Sequence, residues 1–303
     1  MTEKNQPPYA LVPEIALLDS LPEHLQKRFA DALELMHYHL EDGLSWEQIA
    51  NKSAISPYHF HRQFCQLFNE TPGQYHSRMR LQNALHYLLH EYSYSITDIA
   101  HRCGFSSSQA LGKALKRELG MTAKAIRILG QEGTAEETSL LLEKVAHPDA
   151  EFNLENTLAD KMPTELVWYP QRGMKILLEA ESNLDWVIEH FGSKATRFMN
   201  ATPIKELTKS WQEMETFVGD WQCDPKEYDV VIAEGYYLCS EVYLFSDVAY
   251  YAACESLFIQ AEKKKLKLDE SGLFVEIIRD LDESPNGGMT FSFQIPIIDQ
   301  DEQ

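Results

Sequence analysis

In the first part of the chain, apolar residues recur every three or four positions, which is the spacing of an amphipathic helix. This pattern predicts helices over residues 23–40 and 46–51. Ser56-Pro57 and Thr71-Pro72 predict two further helix starts, because serine or threonine caps a helix and proline fits its first turn. The second of these helices spans about residues 73–90. The apolar positions that define the pattern are Leu25, Phe29, Leu33, Met36 and Leu40, then Phe60, Phe64 and Phe68.

The same plan of helix, turn and helix is repeated about fifty residues further along the chain, which indicates an internal duplication. In the first helix, Ile96, Ile99 and Ala100 correspond to Trp46, Ile49 and Ala50. In the turn, Gly104-Phe105-Ser106 corresponds to Ala54-Ile55-Ser56. After one extra residue, Leu111, Leu115 and Leu119 of the second helix correspond to Phe60, Phe64 and Phe68. We therefore expect an all-α domain of two tandem helix-turn-helix units over residues 23–130. Residues 1–22 form an N-terminal extension.

The pattern changes after residue 130. Residues 131–160 are polar and contain Gly and Pro, which predicts a linker with one short helical stretch. Residues 161–303 mix strand-like and helix-like segments, so the chain is multidomain, with an α+β second domain. The predicted strands are 165–170, 228–233, 236–245, 273–279 and 290–297, and the predicted helices are 184–191, 207–217 and 247–265.

Charge is distributed unevenly between these parts. The whole chain has a net charge of −20, but residues 43–130 hold 10 Lys and Arg against 5 Asp and Glu. Residues 131–303 hold 14 basic and 34 acidic residues. Binding to DNA phosphates requires local rather than total positive charge. The overall acidity is therefore compatible with DNA binding by the first domain.

The remaining composition indicates a cytoplasmic protein. There is no secretory signal and no apolar run of the roughly 18 to 20 residues that a membrane helix requires. The five cysteines form no CxxC pair and are expected to be reduced. No second cysteine or histidine stands at ligand spacing from any of them, so neither a metal nor a cofactor is predicted. No nucleophile–base pair or phosphate-binding loop indicates an enzyme.

A helix-turn-helix binds DNA by placing its second helix in the major groove. The outward positions of the second helix of each unit are polar or basic, which favours contacts with DNA. The alternative is that each is only a solvated helix face that binds no ligand. Arg62 suits guanine, Gln109 suits adenine, and Lys113 and Lys116 suit phosphates or guanine. The full set of candidates is Tyr58, His59, His61, Arg62 and Gln63 in the first unit, and Ser107, Ser108, Gln109, Gly112, Lys113 and Lys116 in the second.

Residues 44–127 resemble the DNA-binding domain of the AraC/XylS family, in the subgroup of MarA, SoxS and Rob. The matching segments are LSWEQIANKSAISPYHFHRQFCQLFNETPGQY, RMRLQNALHYL and SITDIAHRCGFSSSQALGKALKRELG. The resemblance implies that the units enter two successive major grooves, with base contacts from Tyr58, His61 and Arg62, and from Ser108, Gln109, Gly112 and Lys113. The second unit departs from the family at Leu111, Leu115 and Ala123. Together with Gly112, these departures predict that the second unit discriminates between bases weakly and mainly contacts phosphates.

The second domain resembles the GyrI-like (Rob/BmrR-type) effector-binding domain, in a Rob-like arrangement. The segments that carry this resemblance are GLFVEIIRDLDESP and FSFQIPI. It implies a cleft where Glu276 meets a lipophilic cation, with an aromatic wall from Trp168, Tyr236, Tyr243, Tyr250 and Tyr251. The alternatives are a salt bridge or an exposed strand edge for Glu276, and core packing for the aromatic residues.

The sequence as a whole therefore predicts a DNA-binding transcription regulator that responds to a small effector. One alternative is that the acidic domain is a platform for a protein partner such as RNA polymerase, because its charge suits a basic surface. The other is a hydrolase-like GyrI module.

Overall fold

The computed structural model describes residues 8–38, 44–149, 153–177, 184–282 and 287–298. Helices occupy the chain up to residue 159, and strands predominate afterwards. The helices are α1 (Pro13–Leu18), α2 (Glu23–Tyr38), α3 (Trp46–Lys52), α4 (Pro57–Phe68), α5 (Pro72–His90), α6 (Ile96–Arg102), α7 (Ser108–Glu118), α8 (Ala123–Glu132), α9 (Ala135–Leu142), α10 (Leu154–Ala159), α11 (Leu184–Phe191) and α12 (Asp247–Lys263). The strands are β1 (Tyr9–Ala10), β2 (Glu165–Tyr169), β3 (Arg172–Ile176), β4 (Phe198–Pro203), β5 (Phe217–Asp220), β6 (Val230–Ile232), β7 (Gly235–Leu244), β8 (Leu273–Leu281) and β9 (Met289–Ile297).

Both helix-turn-helix units are present, and their turns have the same backbone geometry. The turns pass through positive φ at Ala54 (55°) and Gly104 (72°). The next residue, Ile55 or Phe105, donates its N–H to the carbonyl five positions earlier, at 2.9 and 2.8 Å. The internal repeat predicted from the sequence is therefore confirmed. The predicted last two residues of the first helix, 39 and 40, lie outside the described residues.

Each unit has its own apolar core, and α5 contributes to both. The phenylalanines of α4 pack against α2 and the start of α5 in the first core. The leucines of α7 pack against the second half of α5 in the second core. This second core also contains residues of α9 and, from α12, Val248 and Tyr251. The helical domain and the second domain therefore share buried apolar surface.

The second domain is built on a mixed sheet with the strand order β1-β7-β9-β8-β4-β5-β3-β6, and β2 also pairs with β7. Helix α12 covers one face, and the main core lies between them. The α+β class is confirmed, as are the five predicted strands, within a few residues at their ends. The pattern did not predict β3, β4 or β5. Among the described residues, no helix has the length and apolarity that a bilayer crossing requires.

The helix predicted over residues 207–217 is wrong. A short 3₁₀ turn precedes this segment and β5 begins at its end. The backbone N–H of Trp211 donates to the carbonyl of Gly133 at 2.8 Å instead of to a carbonyl four residues earlier. Its indole N–H donates to Thr138 of α9 at 3.0 Å. The apolar spacing therefore reflects packing against the connecting segment and not a helix.

The N-terminal segment crosses to the second domain. Strand β1 pairs in parallel with β7, where Tyr9 stands opposite Val242. The side chain of Leu11 is fully buried in the core of the second domain. The hydroxyl of Tyr9 donates to the carbonyl of Leu158 in α10 at 2.9 Å. Only after these contacts does the chain enter α1 and the helical domain.

A buried ionic network joins α1, α5 and the connecting segment. The Oε1 of Glu14 lies 2.7 Å from the hydroxyl of Tyr75 and 2.8 Å from Nε2 of His147. The other ring nitrogen of His147 lies 2.8 Å from Glu155, which also accepts the backbone N–H of His147. All four side chains are at most 5% exposed.

These contacts determine the protonation states of the network. Burial alone would lower the pKa of His147, but the Glu14 carboxylate and hydrogen bonds to Glu14 and Glu155 raise it to about 9. Burial would raise the pKa of Glu14, but the charge and hydrogen bond of His147 hold it well below its ordinary range. Burial lowers the pKa of the neighbouring His37 to about 4. At neutral pH the network therefore consists of a charged imidazolium between carboxylates.

We expect His147→Gln to destabilise the protein in a pH-dependent way. A histidine whose folded-state pKa is raised contributes its full stabilisation below its unfolded pKa of about 6.5, and this is lost as pH rises through about 9. The loss of stability in the variant should be about 3 kcal/mol below pH 6.5 and should decrease toward pH 9 and above. Urea unfolding at several pH values measures it.

His101→Gln, at an exposed histidine, is the control and should change stability by less than about 0.5 kcal/mol. If the difference in unfolding free energy between wild type and His147→Gln stays constant with pH, the raised pKa assigned to His147 is contradicted.

Candidate functional site

The first candidate surface is the outer face of α4. Its phenylalanines point into the core, so the opposite face is left open. Tyr58 is 77% exposed, although large aromatic side chains usually pack. Arg62 is exposed one turn further along, and His59 is partly exposed. These three side chains are available for contacts outside the domain.

Two other predicted residues of α4 are held by the domain itself. The ring of His61 lies 5.2 Å from that of Trp46 on α3, and its Nδ1 is 3.7 Å from Sγ of Cys65. Gln63 is partly buried, and its amide oxygen has no hydrogen-bond partner among the described residues. The ring of His61 is thus held in one orientation by contacts within the domain, whereas the side chain of Gln63 faces partly inward.

The second candidate surface lies on α7. Gln109, Lys113 and Lys116 are exposed, and Ser108 is partly exposed. Lys116 donates to the carbonyl of Gly120 at 2.8 Å. Ser107 is the N-cap of α7, and its hydroxyl accepts the N–H of Ala110. Among the described residues, the outward candidates on α7 with no assigned side-chain hydrogen bond are therefore Ser108, Gln109 and Lys113.

Two arginines that the sequence reasoning missed hold the turns of the two units. Arg28 of α2 donates to the carbonyl of Ala54 at 3.1 Å. Arg80 of α5 donates to the carbonyls of Cys103 and Gly104 and stacks on the ring of Phe105, 4.0 Å from its centre. In each unit, therefore, an arginine from the helix packed behind it donates to the carbonyl groups of the turn. The sequence signal that could have indicated them is the repeat, because equivalent turns leave equivalent backbone carbonyl groups that require a donor.

A cavity of about 570 Å³ lies between the helical domain and the second domain. One wall is the exposed side of α5, and the other is formed by the start of α12 and by β9. The lining includes His86 and His90 from α5, Asp247, Tyr250 and Tyr251 from α12, and Asn200 and Trp211 from the second domain. Anything bound in this cavity touches both domains.

Glu276 lies behind this cavity on the interior strand β8 and is 2% exposed. The hydroxyl of Tyr250 donates to one carboxylate oxygen, and the amide of Asn200 donates to the other at 2.6 Å. Burial raises the pKa of Glu276 to about 7, and these hydrogen bonds oppose the rise. The salt bridge or exposed edge considered from the sequence is wrong, because β8 is paired on both sides and the donors are neutral.

The predicted aromatic wall is divided between two places. Tyr250 and Tyr251 line the cavity, and the Tyr251 ring packs edge-on against Trp211. Trp168 and Tyr236 stand opposite each other on β2 and β7, with Trp168 51% exposed. The hydroxyl of Tyr243 accepts the backbone N–H of Gly288. The last three residues do not line this cavity.

The cavity also contains a cluster that was not predicted. His86 and His90 of α5 face Asp247, the first residue of α12. Burial would raise the pKa of Asp247, but the two histidines lower it to about 2. Two histidines four residues apart on one helix were the available signal. The prediction that no metal is bound rested on the absence of further ligands near the five cysteines, and it did not include pairs of histidines.

Comparisons with known proteins identify the helical domain. Residues 49–128, about a quarter of the chain, match a family model described as a helix-turn-helix domain. The HTH-type transcriptional activator RhaS of Escherichia coli O1:K1 is 36% identical over 117 residues, which cover 38% of this chain and 41% of RhaS. This part of the chain is a helix-turn-helix domain that is similar to the matched part of this transcriptional activator. The chain spans about two fifths of the length of this relative.

Two solved structures also align with the chain. A transcriptional regulator from Chromobacterium violaceum with an AraC-type DNA-binding domain is 28% identical, covering 36% of this chain and 96% of its own, with a TM-score of 0.33. The DNA-binding domain of AdpA, solved in complex with a target DNA, is 31% identical, covering 33% of this chain and 90% of its own, with a TM-score of 0.31.

Within the helix-turn-helix domain, we expect Gly112→Ala to stabilise α7. A Cβ at this position meets no atom within 4 Å. Alanine in a helix interior is favoured over glycine by about 0.8–1 kcal/mol, so the free energy of unfolding should rise by about that amount. Urea unfolding of the full chain measures it.

Gly130→Ala in α8 is the matched control. A Cβ there lies 2.4 Å from the carbonyl oxygen of Leu89, so this variant should be less stable than wild type. Loss of stability in Gly112→Ala would show that the outer face of α7 is more crowded than the structure indicates.

Proposed function

We propose that the protein is a sequence-specific DNA-binding transcription regulator. The observation that carries this proposal is the pair of helix-turn-helix units with matching turns, each fixed by an arginine and each presenting a polar second helix to solvent. One chain with two such units reaches two successive major grooves without a dimer. The expected DNA site is therefore asymmetric and about 20 base pairs long.

We further propose that the two units have different roles. On α4, Tyr58 and Arg62 are exposed and His61 is held against Trp46, so the first unit offers rigid groups for base edges. On α7, Ser107 is used as a cap, Lys116 donates to the carbonyl of Gly120 and Gly112 has no side chain. This leaves Ser108, Gln109 and Lys113. The first unit is then the main reader, and the second mainly an anchor on the phosphates.

Arg62→Ala and Lys113→Ala should therefore weaken DNA binding in different ways. The preferred site is first selected from random DNA with the wild-type protein. Arg62→Ala should lose about 1–3 kcal/mol at one base pair and relax the preference there. Lys113→Ala should weaken binding to all sequences alike and reduce the salt slope by about 0.9. Competition binding at several salt concentrations measures both effects.

Lys161→Ala, which removes an exposed lysine from the second domain, is the control and should leave affinity unchanged. Equal relaxation of base preference in Arg62→Ala and Lys113→Ala would reject the division of roles. Absence of any selected sequence with the wild-type protein would reject sequence-specific binding itself.

For the second domain we propose a GyrI-like effector site in the interdomain cavity, in a Rob-like arrangement. The supporting observation is Glu276, a buried carboxylate whose two donors, Tyr250 and Asn200, line the cavity. A lipophilic cation in the cavity would favour the ionised carboxylate and pack on aromatic rings. Because α5 forms the other wall, the same ligand would contact the helix that joins the two DNA-binding units.

Tetraphenylphosphonium, a lipophilic cation, is the probe for this site. It should raise the melting temperature of the full chain, whereas neutral triphenylphosphine oxide should do so much less. Glu276→Gln should remove most of this difference, since it removes the charge while keeping the shape. Glu255→Gln removes a charge from the exposed face of α12 and should behave as wild type.

Equal stabilisation of wild type and Glu276→Gln would reject the charged site. If neither compound binds, the acidic domain is better explained as a platform for a basic protein surface such as one on RNA polymerase. Direct binding of purified polymerase to the full chain would then test that alternative.

A further inference from the structure

The cluster of His86, His90 and Asp247 stands where the two domains meet. The two histidines are four residues apart on α5, so both point from the same face of the helix. Nδ1 of His86 and Nε2 of His90 lie 3.2 and 3.7 Å from the same carboxylate oxygen of Asp247. One ligand atom from each of the three residues falls within 4.8 Å of the others.

These separations fit a shared metal ion better than direct ion pairs. Charge-assisted N–H···O⁻ bonds have lengths of about 2.7–2.9 Å. The hydrogen-bond contacts of His86 Nδ1 to the two Asp247 oxygens are longer, at 3.2 and 3.3 Å, and Nε2 of His90 lies at 3.7 Å. Ligand atoms around a tetrahedral zinc ion, at bond lengths of about 2.0–2.2 Å, are separated by about 3.4 Å. The observed distances lie on either side of that value.

The cluster is also accessible, as an ion site must be. The side chains of His86, His90 and Asp247 are 39%, 29% and 24% exposed. All three line the interdomain cavity, which gives an ion a path and leaves room for a water molecule as fourth ligand. The cysteines and Glu276 are not part of this cluster.

We propose that His86, His90 and Asp247 bind one divalent transition-metal ion of the zinc type. Two imidazoles with one carboxylate suit zinc and its first-row neighbours, whereas Mg²⁺ and Ca²⁺ prefer oxygen ligands. The bound ion links α5 of the helix-turn-helix domain to the first turn of α12. It therefore stabilises one relative position of the two domains, and this holds whether or not a lipophilic cation is the effector.

The test uses the full chain, freed of metal with a chelator and then titrated with ZnSO₄ alone in a calorimeter. One equivalent of Zn²⁺ should bind. The variants His86→Gln, His90→Gln and Asp247→Asn should each lower the affinity at least tenfold. His101→Gln, at an exposed histidine outside the cluster, should bind as wild type does. Zn²⁺ should raise the melting temperature of wild type and His101→Gln but not of the three variants.

A second measurement keeps the result independent of how the variants fold. Co²⁺ added to the metal-free wild-type chain should give visible absorption of a site with low coordination number and no thiolate charge-transfer band. Circular dichroism in the presence of chelator shows whether each variant retains the wild-type fold. The proposal is overturned if no stoichiometric Zn²⁺ binds, if the Co²⁺ spectrum shows thiolate ligands, or if folded variants bind Zn²⁺ as tightly as wild type.

Discussion

A carboxylate buried among apolar side chains is unfavourable unless donors or cations meet it. Glu14 satisfies this condition only when three distant segments of the chain come together. Tyr75 is supplied by the helix that joins the two DNA-binding units, and His147 by the connecting segment. His147 in turn depends on Glu155 for its second hydrogen bond. Separating any of these segments would expose or strand a charge, so the arrangement of the whole chain depends on this network.

The network gives the interdomain cavity fixed walls. On one side α5 is held by its share in both cores and by Tyr75, and on the other α12 packs on the sheet and contributes Tyr251 to the second core. A ligand or ion between them therefore acts on two elements that are already positioned. This is the physical basis on which a signal from the second domain would reach α4 and α7.

The helical part of the fold was predictable because its information is local. Periodicity and caps located α2 to α5, and the repeat located α6 and α7 as their equivalents in the second unit. Strands β3, β4 and β5 were missed because each has at most six residues and contains Gly, Asn, Asp or Pro, which are depleted in strands. The residues of the candidate site divide in the same way. Arg62 was found from its helix face, whereas the contact of Asn200 with Glu276 depends on strands 76 residues apart.

The pairing of β1 with β7 makes the helix-turn-helix domain an insertion within the second domain. From the sheet at Tyr9 and Ala10 the chain passes into the helical units, and it returns to the second domain through α10. The helical units are therefore attached at two points and not by a single tether. Rotation about the 131–160 connection alone cannot separate the domains, because β1 would have to unpair as well. The second attachment is non-covalent and consists of the β1–β7 hydrogen bonds and the buried side chain of Leu11. A shift of one domain relative to the other therefore also acts directly on the sheet.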